Sequence, residues 1–82
     1  NLPSIKIQAK DLDAQVDIIN LVMLSKLENS KSEIRRLIKG NAIKINDKII
    51  TDEKLIIKSE LFNDNYLKLS IGKKRHIKIE IN

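Results

Sequence analysis

Residues 30–50, SKSEIRRLIKGNAIKINDKII, decide the fold, because their apolar pattern changes from helical to strand-like at a glycine. Ser30 followed three residues later by Glu33 is a capping-box sequence, in which each side chain satisfies a backbone N–H at a helix start. Gly40 suits the left-handed conformation just beyond a helix end. We therefore predict a helix of about two to three turns between Ser30 and Gly40.

After this glycine the apolar period becomes two, which is typical of a strand. Ile43 and Ile45 would share one face, and Lys44 would lie on the other. The pair Asn46-Asp47 then supplies a turn and residues 48–50 a return strand, although Asn-Gly would be a stronger hairpin signal. The helix is thus predicted to lead directly into a hairpin.

The last third of the chain predicts a second hairpin. YLKLSI (66–71) and HIKIEI (76–81) alternate strictly around GKKR (72–75), which would be the turn. Residues 51–65 have no clear period and are predicted to form a short strand and a loop.

Upstream of residue 30, SIKIQA (4–9) predicts a short strand, and residues 11–28, DLDAQVDIINLVMLSKLE, predict one long central helix. Asp11 or Asp13 is expected to cap this helix. The expected fold class is α+β, with two N-terminal helices packed on a small, mainly antiparallel sheet, and residues 1–82 form one domain.

The composition limits the function. The 82 residues contain no cysteine and only two aromatic residues, so neither a thiolate metal site nor a deep ligand pocket is expected. Sixteen basic residues against eleven acidic ones give a net charge of +5, which favours an anionic partner. We see no signal peptide and no apolar run that could cross a bilayer, so we expect a cytoplasmic protein without membrane contact. Because the chain begins at Asn1 without a methionine, we expect it to be a piece of a longer chain, although a removed tag or leader would look the same.

Charge is concentrated on the helix after Ser30. At about 100° per residue its apolar residues form a narrow stripe, and its polar residues other than Glu33 form a cationic arc. The arc consists of Lys31, Ser32, Arg35, Arg36 and Lys39. Glu33 falls outside the arc and is expected not to neutralise it. Four cations at this spacing repel one another, whereas phosphates would relieve the repulsion and accept bonds from Ser32, from the arginine forks and from the free amides at the helix start.

A second cationic cluster is expected at the predicted hairpin tip, from Lys73, Lys74 and Arg75, and Lys44 is expected to extend the first. A solvated helix face and edge lysines that deter strand pairing remain the alternative explanations. Two aromatic residues cannot line a strip for single-stranded bases, so a structured RNA backbone is the favoured nucleic-acid partner.

Catalytic patterns are missing from the sequence. The single histidine, His76, is expected to be a surface strand residue rather than a base or a metal ligand. The carboxylates are scattered, and no glycine-rich phosphate loop or nucleophile elbow occurs. We therefore expect neither enzymatic activity nor a cofactor in this chain itself.

Residues 30–52 resemble the alpha-L RNA-binding motif, which is named for a small-subunit ribosomal protein and in which a basic helix leads into a hairpin. The matching residues are Ser30, Lys31, Ser32, Arg35, Arg36, Leu37, Ile38, Lys39, Ile43, Ile45 and Asn46. The departures are Ile34, where the motif has alanine, and Asp47, where it has glycine.

The flanking segments, LPSIKIQAKDLDAQVDIINLV (2–22) and YLKLSIGKKRHIKI (66–79), resemble the C-terminal domain of bacterial-type tyrosyl-tRNA synthetases. The resemblance implies a domain that grips tyrosine tRNA near its long variable arm and anticodon stem. It also implies a separate N-terminal domain that uses ATP and tyrosine as a tyrosine–tRNA ligase, a homodimeric parent and a monomeric isolated domain. The HIGH and KMSKS signatures of that catalytic domain are missing from this sequence. ENSKS (28–32) ends like KMSKS, but it lies where a helix cap is expected and has no HIGH partner, so we treat the likeness as coincidence.

Two alternatives stay open. The same RNA-binding module occurs in pseudouridine synthases, ribosomal RNA methyltransferases and ribosome-associated proteins. A basic face could also dock an acidic protein partner.

Overall fold

A computed structural model describes residues 3–81 and confirms the predicted α+β class. Its elements in chain order are β1 (Ser4–Ile7), α1 (Ala9–Asp13), α2 (Ile18–Ser25), α3 (Lys31–Lys39), β2 (Ile43–Ile45), β3 (Lys48–Ile49), a 3₁₀ turn (Ser59–Leu61), β4 (Tyr66–Ile71) and β5 (Arg75–Ile81). Within residues 3–81, none of the helices has the length and apolar character needed to cross a membrane.

The strands form one five-stranded sheet in the order β1-β5-β4-β2-β3. The β1–β5 pair is parallel and the other pairs are antiparallel, which matches the predicted mainly antiparallel sheet. Both predicted hairpins are present. Asn46 and Asp47 have φ angles of 51° and 69°, as a tight primed turn requires, and Gly72 has a φ of 65° in the β4–β5 turn.

The hydrophobic core lies between the helices and one face of the sheet. Alternate strand residues point inward, for example Leu67 and Leu69 of β4, and both are fully buried. From the helices, Leu21 of α2 and Ile34 and Ile38 of α3 join the same cluster. Burying one such side chain contributes about 1.5–3 kcal/mol, so the aliphatic core holds the sheet and α3 together without a disulfide.

The long helix predicted for residues 11–28 is two helices, α1 and α2, separated by a left-handed Gln15 with a φ of 60°. Tertiary pairing explains the break, because Ile57 N–H donates to Val16 O and Ile18 N–H donates to Leu55 O, both at 2.8 Å. Asp17 then caps α2 by accepting a bond from Asn20 N–H at 2.8 Å. Neither Asp11 nor Asp13 is the N-cap that was predicted: Gln8 takes that position in α1, and Asp11, the third helical residue, accepts from Gln8 N–H at 3.0 Å.

The ends of α3 differ in detail from the prediction. Ser30 Oγ accepts from Glu33 N–H at 3.3 Å, which confirms the N-cap. Gly40 has a φ of −85°, so its predicted left-handed role is wrong, and Asn41 takes that conformation with a φ of 59°. Ala42 N–H donates to Leu37 O at 2.9 Å, which completes a Schellman-type end. Asparagine tolerates this conformation, so glycine is not required there.

Candidate nucleic-acid interface

Helix α3 presents a cationic side to solvent and an apolar side to the core. Ile34 and Ile38 are buried and Leu37 is half-buried, as the helical spacing predicts. The polar side consists of Lys31, Ser32, Arg35, Arg36 and Lys39, all of them exposed. We call these five residues the helical cationic surface. The packed apolar side fixes the orientation of α3, and therefore the direction in which the cations point.

Glu33 contacts one residue of this surface, Arg36. The expectation that Glu33 does not neutralise the cationic arc is therefore wrong for Arg36. The Oε2 atom of Glu33 lies 3.4 Å from Nη1 of Arg36, which has a side chain 81% exposed. An exposed pair of this kind contributes about 0–1 kcal/mol, so Arg36 can exchange Glu33 for a phosphate at little cost. Within residues 3–81, Lys31, Arg35 and Lys39 have no carboxylate within ion-pair distance.

Besides the cationic side chains, the N-terminal end of α3 carries hydroxyl and amide groups that can donate hydrogen bonds to an anion. Ser32 Oγ lies 3.1 Å from Ser30 Oγ, and both hydroxyls lie at the first turn. The first amides of a helix have no intrahelical acceptor, and here Ser30 takes up only the amide of Glu33. Lys31 and Ser32, the exposed first residues of α3, therefore contribute backbone amides to a helix end that favours anions.

The β4–β5 turn lies beside both ends of α3. After the helix, Gly72 N–H donates to Ala42 O at 2.8 Å. Before the helix, Arg75 Nη1 donates to Leu27 O at 3.1 Å. These two bonds tie the turn that carries exposed Lys73 and Lys74 to the segments before and after α3.

Arg75 differs from the two turn lysines in what it contacts. Its Nη1 lies 3.7 Å from Glu28 Oε2 as well as 3.1 Å from the carbonyl of Leu27. Its side chain is 45% exposed, yet its guanidinium already has two partners in the α2–α3 connection. No sequence pattern predicts this contact, because Glu28 and Arg75 are far apart in the chain and share no motif.

Lys44 does not join the helical cationic surface. It lies between buried Ile43 and Ile45 and points to the opposite face of β2, where it is in register with Ser70 of β4. The structure therefore places Lys44 on the sheet face that the helices leave uncovered, and the expectation that it extends the surface of α3 is wrong.

His76 lies in a strand, as predicted, but it is half-buried and hydrogen-bonded. Its Nδ1 lies 2.9 Å from Ser70 Oγ, and its Nε2 lies 3.0 Å from Lys73 O. The ring therefore helps to fix the β4–β5 turn. In the part of the chain that the structure describes, no three His, Asp or Glu side chains are close enough to hold a metal ion.

Comparison with known proteins gives a consistent result. The family model described as "Tyrosine–tRNA ligase SYY-like C-terminal domain" matches residues 1–79. The tyrosine–tRNA ligase of Pelagibacter ubique is 59% identical over 81 residues, which cover 99% of this chain and 20% of the relative. That of Rickettsia massiliae is 43% identical over 82 residues, with coverages of 99% and 20%, and that of Agrobacterium fabrum is 42% identical over 78 residues, with coverages of 94% and 19%. The chain thus spans about a fifth of the length of the curated relatives it matches.

Proposed function

This chain belongs to the family of tyrosine–tRNA ligase C-terminal domains, and on that premise we propose that it binds the phosphate backbone of tyrosine tRNA through the helical cationic surface. The observation that carries the proposal is that Lys31, Arg35 and Lys39 lie together on one exposed helix side without a carboxylate partner in residues 3–81. Like charges at this spacing repel one another and destabilise an isolated helix. Bound phosphates of a polyanion would attract the same cations and offset this repulsion.

Each residue type has a distinct role in this proposal. Arg35 and Arg36 clamp phosphate oxygens with their planar forks, and Lys31 and Lys39 act as point charges on either side. Ser32 and the first amides of α3 donate hydrogen bonds to a phosphate at the helix start. Lys73 and Lys74 reach the same backbone from the neighbouring turn. Arg75, which was expected to bind RNA directly, acts here by holding that turn.

The rest of the proposal concerns the longer protein. We propose that this domain is an appendage of a cytoplasmic, homodimeric tyrosine–tRNA ligase, in which a separate domain joins tyrosine to its tRNA at the expense of ATP. The names and lengths of the relatives support this assignment over a pseudouridine synthase, a methyltransferase or a ribosome-associated parent. The long variable arm and the anticodon stem of the tRNA are the proposed contact regions.

A charge-reversal experiment tests the site. In the double variant R35E/K39E, tyrosine tRNA should bind at least about a hundredfold more weakly, because two charge-assisted contacts of about 1.5–3 kcal/mol each are lost. The matched control is K54E/K58E, which makes the same change in net charge at two exposed lysines outside the surface. Circular dichroism checks that both variants fold. Unchanged affinity in folded R35E/K39E, or an equal loss in the control, would overturn the proposed site.

Two further measurements define the partner. Amide shifts recorded with tyrosine tRNA, with and without its variable arm, should differ at α3 if that arm is contacted. A gel shift against an acidic polypeptide separates RNA binding from protein docking, since binding to the polypeptide as tight as to tRNA would contradict an RNA-specific surface.

A further inference from the structure

The sheet face that the helices leave uncovered carries its own set of lysines. In β5, Ile77 and Ile79 are buried against the core, so Lys78 between them points to the opposite, outer face. By the same alternation Lys68 of β4, Lys44 of β2 and Lys6 of β1 lie on the outer face. Each of four neighbouring strands thus contributes one lysine.

The strand register arranges these lysines in a diagonal row. Lys68 and Lys78 lie directly opposite each other. Lys6 is two residues beyond Ser4, which pairs with Lys78, and Lys44 pairs with Ser70, two residues beyond Lys68. With strands about 4.8 Å apart and residues about 3.3 Å apart, the row extends for about 20 Å across the sheet. We call Lys6, Lys78, Lys68 and Lys44 the lysine diagonal.

Two carboxylates lie on or beside this face: Glu80 of β5 is in register with Lys6, and Asp47 pairs with Lys68. Like charges directly opposite in a sheet are unfavourable, and Lys68 and Lys78 turn to different partners. Lys68 Nζ lies 3.2 Å from Asp47, and Lys78 Nζ lies 4.5 Å from the ring centroid of Tyr66. In the described part of the chain, Lys6 and Lys44 have no carboxylate within ion-pair distance.

Most of the carboxylates are concentrated in two segments outside the strands. Residues 8–17 and 51–65 contain seven of the eleven acidic residues but only three of the sixteen basic ones. These two segments are joined by the backbone bonds of Val16 and Ile18 to residues 55–57. A polyanion is repelled by these acidic segments and attracted both by the helical cationic surface and by the lysine diagonal.

We propose that the lysine diagonal is a second contact surface for the RNA backbone, an inference that rests on the proposed function. The core lies between the two cationic surfaces, because α3 packs on the inner side of the sheet and the diagonal lies on the outer side. A single straight duplex follows only one of them. The partner that fits both is a bent or branched RNA whose separate backbone segments lie on either side of the domain. A row of about 20 Å is long enough to contact several phosphates, since one strand of B-form DNA carries a phosphate for about every 3.4 Å of helix axis.

The test compares two triple variants with equal changes in net charge. The first, K44Q/K68Q/K78Q, removes three charges of the diagonal, and the control, K10Q/K54Q/K58Q, removes three exposed lysines from the acidic segments. For tyrosine tRNA we expect the diagonal variant to bind at least fivefold more weakly than the control. Its plot of log K against log salt should be less steep by about 2, since about three phosphate contacts are lost. A straight RNA hairpin should bind both variants alike.

Two companion variants guard against indirect effects. K44R/K68R/K78R keeps the charges and should bind tRNA like the unmodified chain, whereas a loss there would mean that the substitutions act through packing on Tyr66. Asp47→Asn frees Lys68 from its carboxylate and should strengthen tRNA binding about twofold, in contrast to Asp52→Asn in the acidic segments. Asparagine suits the left-handed conformation of residue 47, so the turn is kept.

The outcomes separate this inference from the proposed function. If R35E/K39E loses tRNA affinity while the diagonal variant matches its control, the second surface is wrong and the first stands. If the diagonal variant loses the straight hairpin as strongly as tRNA, the two-sided arrangement is wrong. If neither surface matters, both proposals fail.

Discussion

Arg75 donates a hydrogen bond from Nη1 to the carbonyl oxygen of Leu27 at 3.1 Å, and this bond joins the start of β5 to the connection between α2 and α3. Glu28 lies beside the same guanidinium at 3.7 Å. The contact fixes the β4–β5 turn relative to the cationic helix, so an arginine in a basic cluster acts as a structural link between two parts of the candidate interface.

The first prediction concerns this link. Arg75→Ala should lower the free energy of unfolding by about 1 kcal/mol, because a hydrogen bond to a backbone carbonyl is lost. Lys74→Ala, which removes a neighbouring exposed charge, should change it by less than about 0.5 kcal/mol. Urea unfolding measures both. Equal effects of the two substitutions would show that Arg75 has no structural role.

The second prediction concerns Glu28. The direction in which tRNA affinity changes when Glu28 is replaced shows whether this residue positions the turn or acts only through its charge. Removing the negative charge of Glu28 by Glu28→Ala should strengthen binding to any polyanion if charge alone matters. If Glu28 holds Arg75 and the turn, tRNA binding should instead weaken a few-fold. Titration of tRNA at fixed salt decides between the two, and tighter binding would contradict the positioning role.

The salt dependence of binding provides a third prediction. If about five phosphates are neutralised, log K should fall against log salt with a slope of about −3.5 to −4.5. R35E/K39E should make the slope shallower by at least about 1.5, since two contacts disappear. A flat response in the unmodified chain would rule out binding through the phosphate backbone.

The fourth prediction concerns Asn46, whose side chain ties the β2–β3 turn to two other segments. Its Nδ2 donates to Leu61 O at 2.7 Å, and its Oδ1 accepts from Lys68 N–H at 3.0 Å. Asn46→Ala should cost about 2–3 kcal/mol, because two bonds are lost and alanine is strained at a φ of 51°. Asn46→Gly removes the bonds without the strain and should cost about 1 kcal/mol less. Thermal unfolding of the pair separates the two contributions, and equal losses would exclude backbone strain.

Much of the candidate interface was predictable because it depends on local periodicity. The spacing of Ile34, Leu37 and Ile38 sets which side of α3 packs, so the opposite cationic side follows from the sequence alone. The strict alternation around residues 72–75 likewise predicted β4, β5 and their turn. The prediction that Gly40 is the left-handed residue at the end of α3 failed because Asn41 takes that conformation, which asparagine also tolerates.

The errors arose where distant segments compete with local preference. The apolar pattern of residues 11–28 favours one helix, but the backbone bonds of Val16 and Ile18 to the segment around Ile56 interrupt it. Lys44 was assigned to the wrong surface because its position depends on which sheet face the helices cover. Neither fact has a signal in a short window of sequence.

The sequence by itself determined the α+β class, the side of α3 that is cationic and the family to which the chain belongs, because each depends on residue types at fixed spacing. The tertiary structure alone decided that Arg75 contacts Leu27 and Glu28, that the β4–β5 turn is bonded to the segments flanking α3 and that four lysines align across the outer face of the sheet. The physical reason is that strand order and register place side chains from distant parts of the chain next to one another, whereas periodicity fixes only the direction in which each side chain points within its own element.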